Sequence, residues 1–291
     1  MRILVTGAAG ALGAATCRHL TARGHEVIGV DCRACSCGDW PAQVIDLRQP
    51  VGLEAMVADC DGVVHLANHT SDAAALPPQR LYLDNVTMNA HVFQAAVDAA
   101  VPRLIYASSV QVFAGGRYAP DTQQPSCLTY LPLDGLEPPR PGNAYAASKA
   151  AGEALLRYHA AHNAHMSCAT VRWPQLSDDV RLRFYRQHRP AEAPAPGSML
   201  DVGFSFLAMA DAADFIGIVL EESKPGYAQW LPAAEQNRLG WTVARLCQAF
   251  YPDVPLRKPV DGGDGLVDLA AIRERFNWHP RHSCLAGAVA T

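Results

Sequence analysis

The chain has 291 residues, 49% of them hydrophobic and 18% charged, with a formal net charge of −4. That is enough chain for one large domain, or one with a small appendage, around a sizeable core. No long run of one charge sign occurs, which argues against nucleic acid or an anionic membrane surface as the main partner.

The chain opens Met1-Arg2-Ile3-Leu4-Val5-Thr6-Gly7. A strand is expected almost at once, with no room for the charged and apolar regions of a signal peptide. No apolar stretch reaches the roughly 18 residues of a membrane span. The expectation is a cytoplasmic protein whose nine cysteines are reduced thiols. Cys32, Cys35 and Cys37 form a CxxCxC cluster. It reads as surface-loop thiols or as a metal site completed in space by His25 or Cys60. A single cluster lacks the second ligand pair of structural zinc sites, so no metal is assigned.

Short apolar runs alternate with longer helical segments through the first half. Ile3–Thr6, Val27–Val30, Gln43–Asp46, Val63–Leu66, Leu104–Ser108 and Cys168–Val171 lack polar alternation, as strands covered on both faces do. Ala11–Arg23, Leu53–Ala58, Tyr82–Ala100 and Ala144–Asn163 read as helices, with Gly24 and Val101-Pro102 as stops. This order predicts an α/β fold of Rossmann type, a doubly wound parallel sheet built from right-handed βαβ units. Ala114 to Gly142 carries six prolines and reads as a long ordered loop, of a length that is usually functional. Beyond Arg172 come a basic stretch (Arg181, Arg183, Arg186, His188, Arg189) and an Ala/Pro linker. Helix signals return at Asp211–Glu222, Trp241–Phe250 and Val267–Phe276, with a strand at Tyr227–Leu231. The predicted division is a nucleotide-binding domain over 1–172, rejoined by 201–225. A small C-terminal substrate-binding cap is expected over 173–200 and 226–291.

Gly7-Ala8-Ala9-Gly10-Ala11-Leu12-Gly13 lies between the first strand and the first helix. Such a turn needs glycine for its sharpness, for close approach to a pyrophosphate and for tight helix–strand packing. The helix end then offers free N–H groups and a partial positive charge. Asp31 ends the second strand, 18 residues past Gly13, where a carboxylate accepts from both ribose hydroxyls and repels a 2′-phosphate. A plain strand-end acid is its other reading, and Arg33 keeps NADP open beside NAD. Asp46-Leu47 reads as an adenine-edge pair or a turn.

Tyr145 and Lys149 stand four apart on a predicted helix, so they share a face. A free tyrosine titrates near 10, and a neighbouring ammonium favours its phenolate. Ser108 and Ser109 close a buried strand, the end at which open α/β sheets bind ligands. A hydroxyl there can orient a substrate oxygen for the tyrosine.

Taken together, these segments resemble the extended short-chain dehydrogenase/reductases, the NAD-dependent epimerase/dehydratase family. The resemblance runs through TGxxGxxG, Asp31, Asp46-Leu47, Val64-His65-Leu66-Ala67 and Asn85-Val86-Thr87-Met88-Asn89. It continues through Tyr106-Ala107-Ser108-Ser109-Val110-Gln111-Val112-Phe113, YxxxK and Arg273–Pro280. It implies Ser109 as the catalytic hydroxyl, Tyr145 as acid/base, and Lys149 on the nicotinamide ribose, tuning Tyr145. It further implies Gly7, Gly10, Ala11, Leu12, Gly13, Leu66 and Ala67 along the cofactor. Asn85 is assigned to bracing or to the ribose, and Asn89 to bracing. A homodimer through the helices at 82–100 and 144–163 is implied as well.

Departures from the family pattern bear on the reaction. Val110-Gln111 stands where a dehydratase needs Asp-Glu. Gln175 replaces an asparagine, and the VYGP that should follow is missing. The expectation is a hydride transfer between NAD and a hydroxyl or keto carbon of a sugar, sugar acid or similar polyol. An NAD-retaining nucleotide-sugar epimerase and a non-catalytic NAD-binding protein are the alternatives. Ser109, Gln111, Trp173, Gln175, Arg183 and Arg186 are the candidate substrate contacts; for the two arginines a solvated helix face is the other reading.

Overall fold

A computed structural model describes residues 1–34, 40–70, 76–114, 118–119, 128–188, 199–200, 202–259 and 265–283. The first half runs β1 (Arg2–Thr6), α1 (Ala11–Ala22), β2 (Glu26–Asp31), β3 (Ala42–Val44), α2 (Leu53–Val57), β4 (Gly62–His65), α3 (Pro78–Asp98), β5 (Arg103–Ser109), a 3₁₀ turn (Val110–Val112) and β6 (Tyr118–Ala119). The second runs α4 (Ala144–His162), β7 (Ser167–Trp173), β8 (Gln175–Ser177), α5 (Asp179–Gln187), β9 (Met199–Leu200), β10 (Phe206–Ala208), α6 (Met209–Glu221), β11 (Gly226–Trp230), α7 (Val243–Phe250) and α8 (Ala270–Phe276).

Seven strands form one sheet in the order β11-β7-β5-β4-β1-β2-β3. The pairings β3–β2, β2–β1, β1–β4 and β4–β5 are all parallel. The α/β fold read from the alternation is therefore present. The chain builds outward from β1 through β2 and β3, then restarts at β4 on the other side of β1. The crevice beyond the carboxyl ends of β1 and β4 is thus the topological switch point, where such sheets take their ligands.

Two compact units divide the chain. The first comprises 1–108, 143–171 and 212–229; the second comprises 109–142, 172–211 and 230–291. The first has its core between the sheet and helices, with Leu4, Val30, Val63, Leu104 and Tyr106 packed with Val92, Phe93 and Leu156. The second packs Val110, Leu131, Leu133, Phe204, Trp241, Leu246 and Phe250. Among the described residues no helix is long and apolar enough to cross a membrane.

Several boundaries move for local reasons. α3 begins at Pro78, a full turn before the expected Tyr82, because proline needs no N–H partner in a first turn. α7 begins at Val243 because the Thr242 hydroxyl caps it, accepting from Arg245 N at 3.3 Å. α8 begins only at Ala270, since Val267 is drawn into a bridge with Leu133. That bridge comes from the proline-rich loop, whose Leu131 also pairs with Leu256. Arg181, Arg183 and Arg186 of the basic stretch lie on α5, which Asp178 caps by accepting from Arg181 N at 2.8 Å.

A buried polar chain crosses the first unit. The Thr6 hydroxyl oxygen accepts from Leu66 N and Ala67 N, both at 3.2 Å, so its own proton goes to His65 Nδ1, 2.7 Å away. His65 Nε2–H then donates to Asn89 Oδ1 at 3.0 Å, and Asn89 Nδ2 donates to the Tyr106 hydroxyl at 3.2 Å. Gly152 of α4 makes room for that hydroxyl, since a Cβ there would lie 2.4 Å from it. Burial, reinforced by the Lys149 charge, pulls the fully buried His65 down to about 3.

His65 is neutral in the fold while the unfolded imidazole takes a proton near 6.5. Its contribution is complete above 6.5 and is lost as pH falls towards 3. Between pH 7 and pH 5 it should remove roughly 2 kcal/mol of stability. His65→Gln should show a correspondingly shallower dependence of urea unfolding free energy on pH. Equal pH slopes for both proteins would contradict the assignment.

Candidate active site

The Gly7–Gly13 turn sits at the switch point. Gly7 has φ +73°, and a Cβ on it would lie 2.7 Å from Ala67 N; one on Gly13 would lie 2.0 Å from the Gly7 carbonyl oxygen. Ala14 N is the first amide to find a helical acceptor, donating to Gly10 O at 2.8 Å. α1 has no side-chain cap and no acid in its first turn, so the N–H groups of Ala11, Leu12 and Gly13 point off the helix end. Asp31, nearly buried, accepts from Ala9 N (3.1 Å) on one oxygen and from Arg33 N (3.0 Å) on the other. Free amides beside a carboxylate suit the diphosphate and adenosine ribose of a dinucleotide. Arg33 Nε reaches the same Asp31 oxygen at 3.4 Å from a largely exposed side chain.

Other expected cofactor residues divide into surface and support. Asp46 is clasped by Arg48, whose Nη2 lies 2.6 Å from Oδ2; this holds its carboxyl at about 2. Arg48 also reaches Asp84 Oδ2 at 3.2 Å. Leu47 is buried, and its carbonyl accepts from His91 Nδ1 at 2.8 Å. Leu66 and Ala67 present partly exposed backbone, positioned through their amides on Thr6. Asn85 has no exposed surface. Its oxygen accepts from His69 N (2.8 Å), and its amide nitrogen donates to His69 O and Ser148 Oγ, both at 3.0 Å. It braces the loop after β4 against α4, where Ser148 donates on to the Tyr145 carbonyl at 2.7 Å.

α4 starts at a capped turn, the Asn143 side chain accepting from Ala146 N at 2.8 Å. One helical turn apart, Tyr145 is partly exposed and Lys149 is buried. Lys149 Nζ donates to the Ala107 carbonyl of β5 at 2.6 Å and lies 5.8 Å from the Tyr145 ring centroid. Burial pulls the ammonium down to about 7, while the charge of Glu153 pushes it back up. Glu153 is one turn further along the same face. It is 2% exposed and accepts from the Ser108 hydroxyl at 2.5 Å. Ser109 is the last residue of β5. Its oxygen accepts from Gln111 N at 3.2 Å, capping the 3₁₀ turn. Its proton has no acceptor among the described residues, which leaves a hydroxyl set up to donate.

In the second unit Trp173 is buried and Gln175 partly exposed. α5 buries Leu182 and Tyr185 and leaves Arg183 and Arg186 exposed. The cation on Gln175 is instead Arg238, whose Nη1 donates to Gln175 Oε1. Of the cysteine cluster, Cys32 is an exposed free thiol; Cys35 and Cys37 lie outside the described residues, as does Arg189.

The model of the NAD dependent epimerase/dehydratase family matches residues 3–177. The chain belongs to this family. It is 32% identical over 182 residues to the L-arabinose 1-dehydrogenase (NAD(P)(+)) of Haloferax volcanii, covering 62% of this chain and 70% of that protein. It is 31% identical over 186 residues to the NAD-dependent glucose-6-phosphate dehydrogenase of the same organism, covering 60% and 68%. The fold is shared with a short-chain dehydrogenase/reductase superfamily protein from Agrobacterium tumefaciens crystallised with NAD, at TM-score 0.70 and 21% identity over 97% and 93% of the two chains. It is also shared with a UDP-glucose-4-epimerase from Stenotrophomonas maltophila, at TM-score 0.69 and 19% identity over 98% and 94%.

Two residues escaped the sequence reading. Glu153 carried a signal, the same four-residue spacing repeated beyond Lys149; Arg238 carried none. Glu153→Gln keeps the acceptor for Ser108 and removes the charge opposing Lys149, so the Lys149 value falls further. Below pH 7 Glu153 holds the wild-type ammonium charged and the variant loses that contribution; near pH 9 the amine is neutral in both proteins and the charge contributes nothing. The substitution should cost about 1 kcal/mol more at pH 6 than at pH 9, in urea melts. An equal loss at both pH values would mean that Glu153 acts only as packing.

Proposed function

We propose that the chain is an NAD-dependent oxidoreductase that interconverts a secondary alcohol and a keto carbon on a sugar, sugar acid or similar polyol. The observation that carries this reading is the buried Lys149 ammonium, pinned on the β5 carbonyl at Ala107 and beside Tyr145. Family membership and two sugar-dehydrogenase relatives support it.

Gly7, Gly10 and the amides of Ala11, Leu12 and Gly13 would hold the diphosphate, Asp31 the adenosine ribose, and Leu66 and Ala67 the length of the cofactor between. Lys149 would hold the nicotinamide ribose. Bound NAD supplies a two-electron hydride acceptor. The chain's own groups do the proton chemistry. The Ser109 hydroxyl donates to the substrate oxygen and orients it. Tyr145, as phenolate, takes the hydroxyl proton from that oxygen while the carbon gives up its hydride. The Lys149 ammonium stabilises the phenolate, and Glu153 keeps that ammonium charged. Gln111, Trp173 and Gln175 are the proposed substrate-side residues. The Asp31 carboxylate favours NAD over NADP because it would face the 2′-phosphate.

Two further parts of the proposal concern the protein's surroundings. We place it in the cytoplasm as a homodimer. The free thiols of Cys32, Cys60, Cys168 and Cys247 support a reducing compartment. Exposed Leu83 on α3 and Tyr158 on α4 support pairing through those helices. Size-exclusion chromatography at several concentrations tests the second point.

Tyr145→Phe should lower turnover by at least about 10²-fold while leaving NAD affinity by calorimetry within a small factor. Retained turnover would remove the tyrosine from the chemistry. In a panel of free sugars, sugar acids and nucleotide sugars with added NAD, net growth of nicotinamide absorbance identifies the dehydrogenase. Sugar interconversion without that growth identifies an epimerase. Neither response, with NAD bound, identifies a binding protein.

A further inference from the structure

We propose that Arg238 anchors an anionic group, a carboxylate or a phosphate, carried by the substrate; this rests on the sugar oxidoreductase reading above. Arg238 belongs to none of the sequence motifs. It is 7% exposed. Its backbone amide is fixed on Phe204 O at 3.1 Å, and its guanidinium carbon lies 5.7 Å from the Phe204 ring centroid. Nη1 donates to Gln175 Oε1, the Tyr185 side chain faces the group, and Nε has no partner among the described residues.

No ion pair among the described residues includes Arg238. Arg181 of α5, of the same sign, acts on it. Burial, the largest influence, pulls the guanidinium below its ordinary value. Arg172 in the same unit shows what a structural buried arginine looks like. It is 1% exposed, but Nη1 donates to the carbonyls of Gly135 (3.1 Å) and Glu137 (2.7 Å), and the Glu137 carboxylate acts on it. Arg238 has only neutral acceptors. A buried, uncompensated cation is costly, and an uncharged donor would hold Gln175 equally well.

Position supplies the second argument. Gln175 follows the carboxyl end of β7 by two residues in the chain, and carboxyl ends of strands are where open α/β sheets take ligands. A planar guanidinium fork with its Nε–H unused matches the paired oxygens of a carboxylate or phosphate. The ligand class is therefore an acidic sugar, a uronate or a sugar phosphate, and not a neutral one.

The test compares one neutral hexose with its uronate and its 6-phosphate, at saturating NAD, on the full-length protein. For the wild type, KM for one anionic form should be at least about tenfold below that of the neutral sugar; whichever form wins separates carboxylate from phosphate. Arg238→Gln should collapse this ratio to within about twofold, and Arg238→Lys, which keeps the charge without the fork, should fall between. A wild type that prefers the neutral sugar overturns the proposal, as does an unchanged ratio in Arg238→Gln. Thermal shift of the wild type alone gives a second readout. The favoured anionic sugar should raise Tm more than its neutral counterpart, and equal shifts overturn the proposal even if the glutamine variant does not fold. NADH formation from neutral sugars only would sink the anion site and leave the oxidoreductase standing. Preferential Tm shifts by an anionic sugar with no turnover of any sugar would do the reverse.

Discussion

A positive charge held in a dry interior governs this molecule. Lys149 Nζ has given up water for one strand carbonyl, at 2.6 Å on Ala107, and burial has brought its titration down to about 7. An ammionium at that value is poised: a neighbouring anion keeps it charged and a neighbouring cation would discharge it. The surroundings follow from this. His65, on the adjacent strand, is locked neutral between Thr6 and Asn89, so it adds no second positive charge. Glu153 supplies the opposing charge from one turn further along α4, itself tied to Ser108.

The same constraint links the sheet to the helices. Thr6 ends β1 and Ser109 ends β5. The Thr6 hydroxyl organises the turn after β4 through Leu66 and Ala67, and that turn presses on Gly7 closely enough to exclude any side chain there. Tyr106 contacts Gly152 of α4 for a similar reason. One hydrogen-bonded chain through Thr6, His65 and Asn89 thus joins the turn beside Gly7 to the Tyr106 hydroxyl beside Gly152. Small displacements in it would be felt at the site.

The second unit follows a different rule. Its core is aromatic and aliphatic, and parts of the proline-rich loop are stitched into it by bridges at Leu131 and Leu133. Of its two buried arginines, Arg172 donates to carbonyls and Arg238 to a glutamine. Gln175, read in the sequence as a departure from the family pattern, falls in this unit.

The sequence by itself determined the elements whose pattern is periodic and the turn whose glycines are evenly spaced. The Val/Ile/Leu runs predicted buried parallel strands, the glycine spacing predicted the β1–α1 turn, and Tyr145 with Lys149 predicted a shared helix face, because a 3.6-residue repeat permits no other arrangement. Only the tertiary structure decided features set by distant neighbours. Asn85 reads in sequence as a brace or a ribose contact, and its bonds to His69 and Ser148 come from segments that spacing does not connect. The arginines of α5 read in sequence as anion binders or as a solvated helix face, and Leu182 and Tyr185 take the buried face while Arg183 and Arg186 stay exposed. Arg238, with no motif around it, became the buried cation because the chain returns past Phe204 and Gln175. Burial depends on which remote segments arrive at a residue, and local spacing carries no record of that.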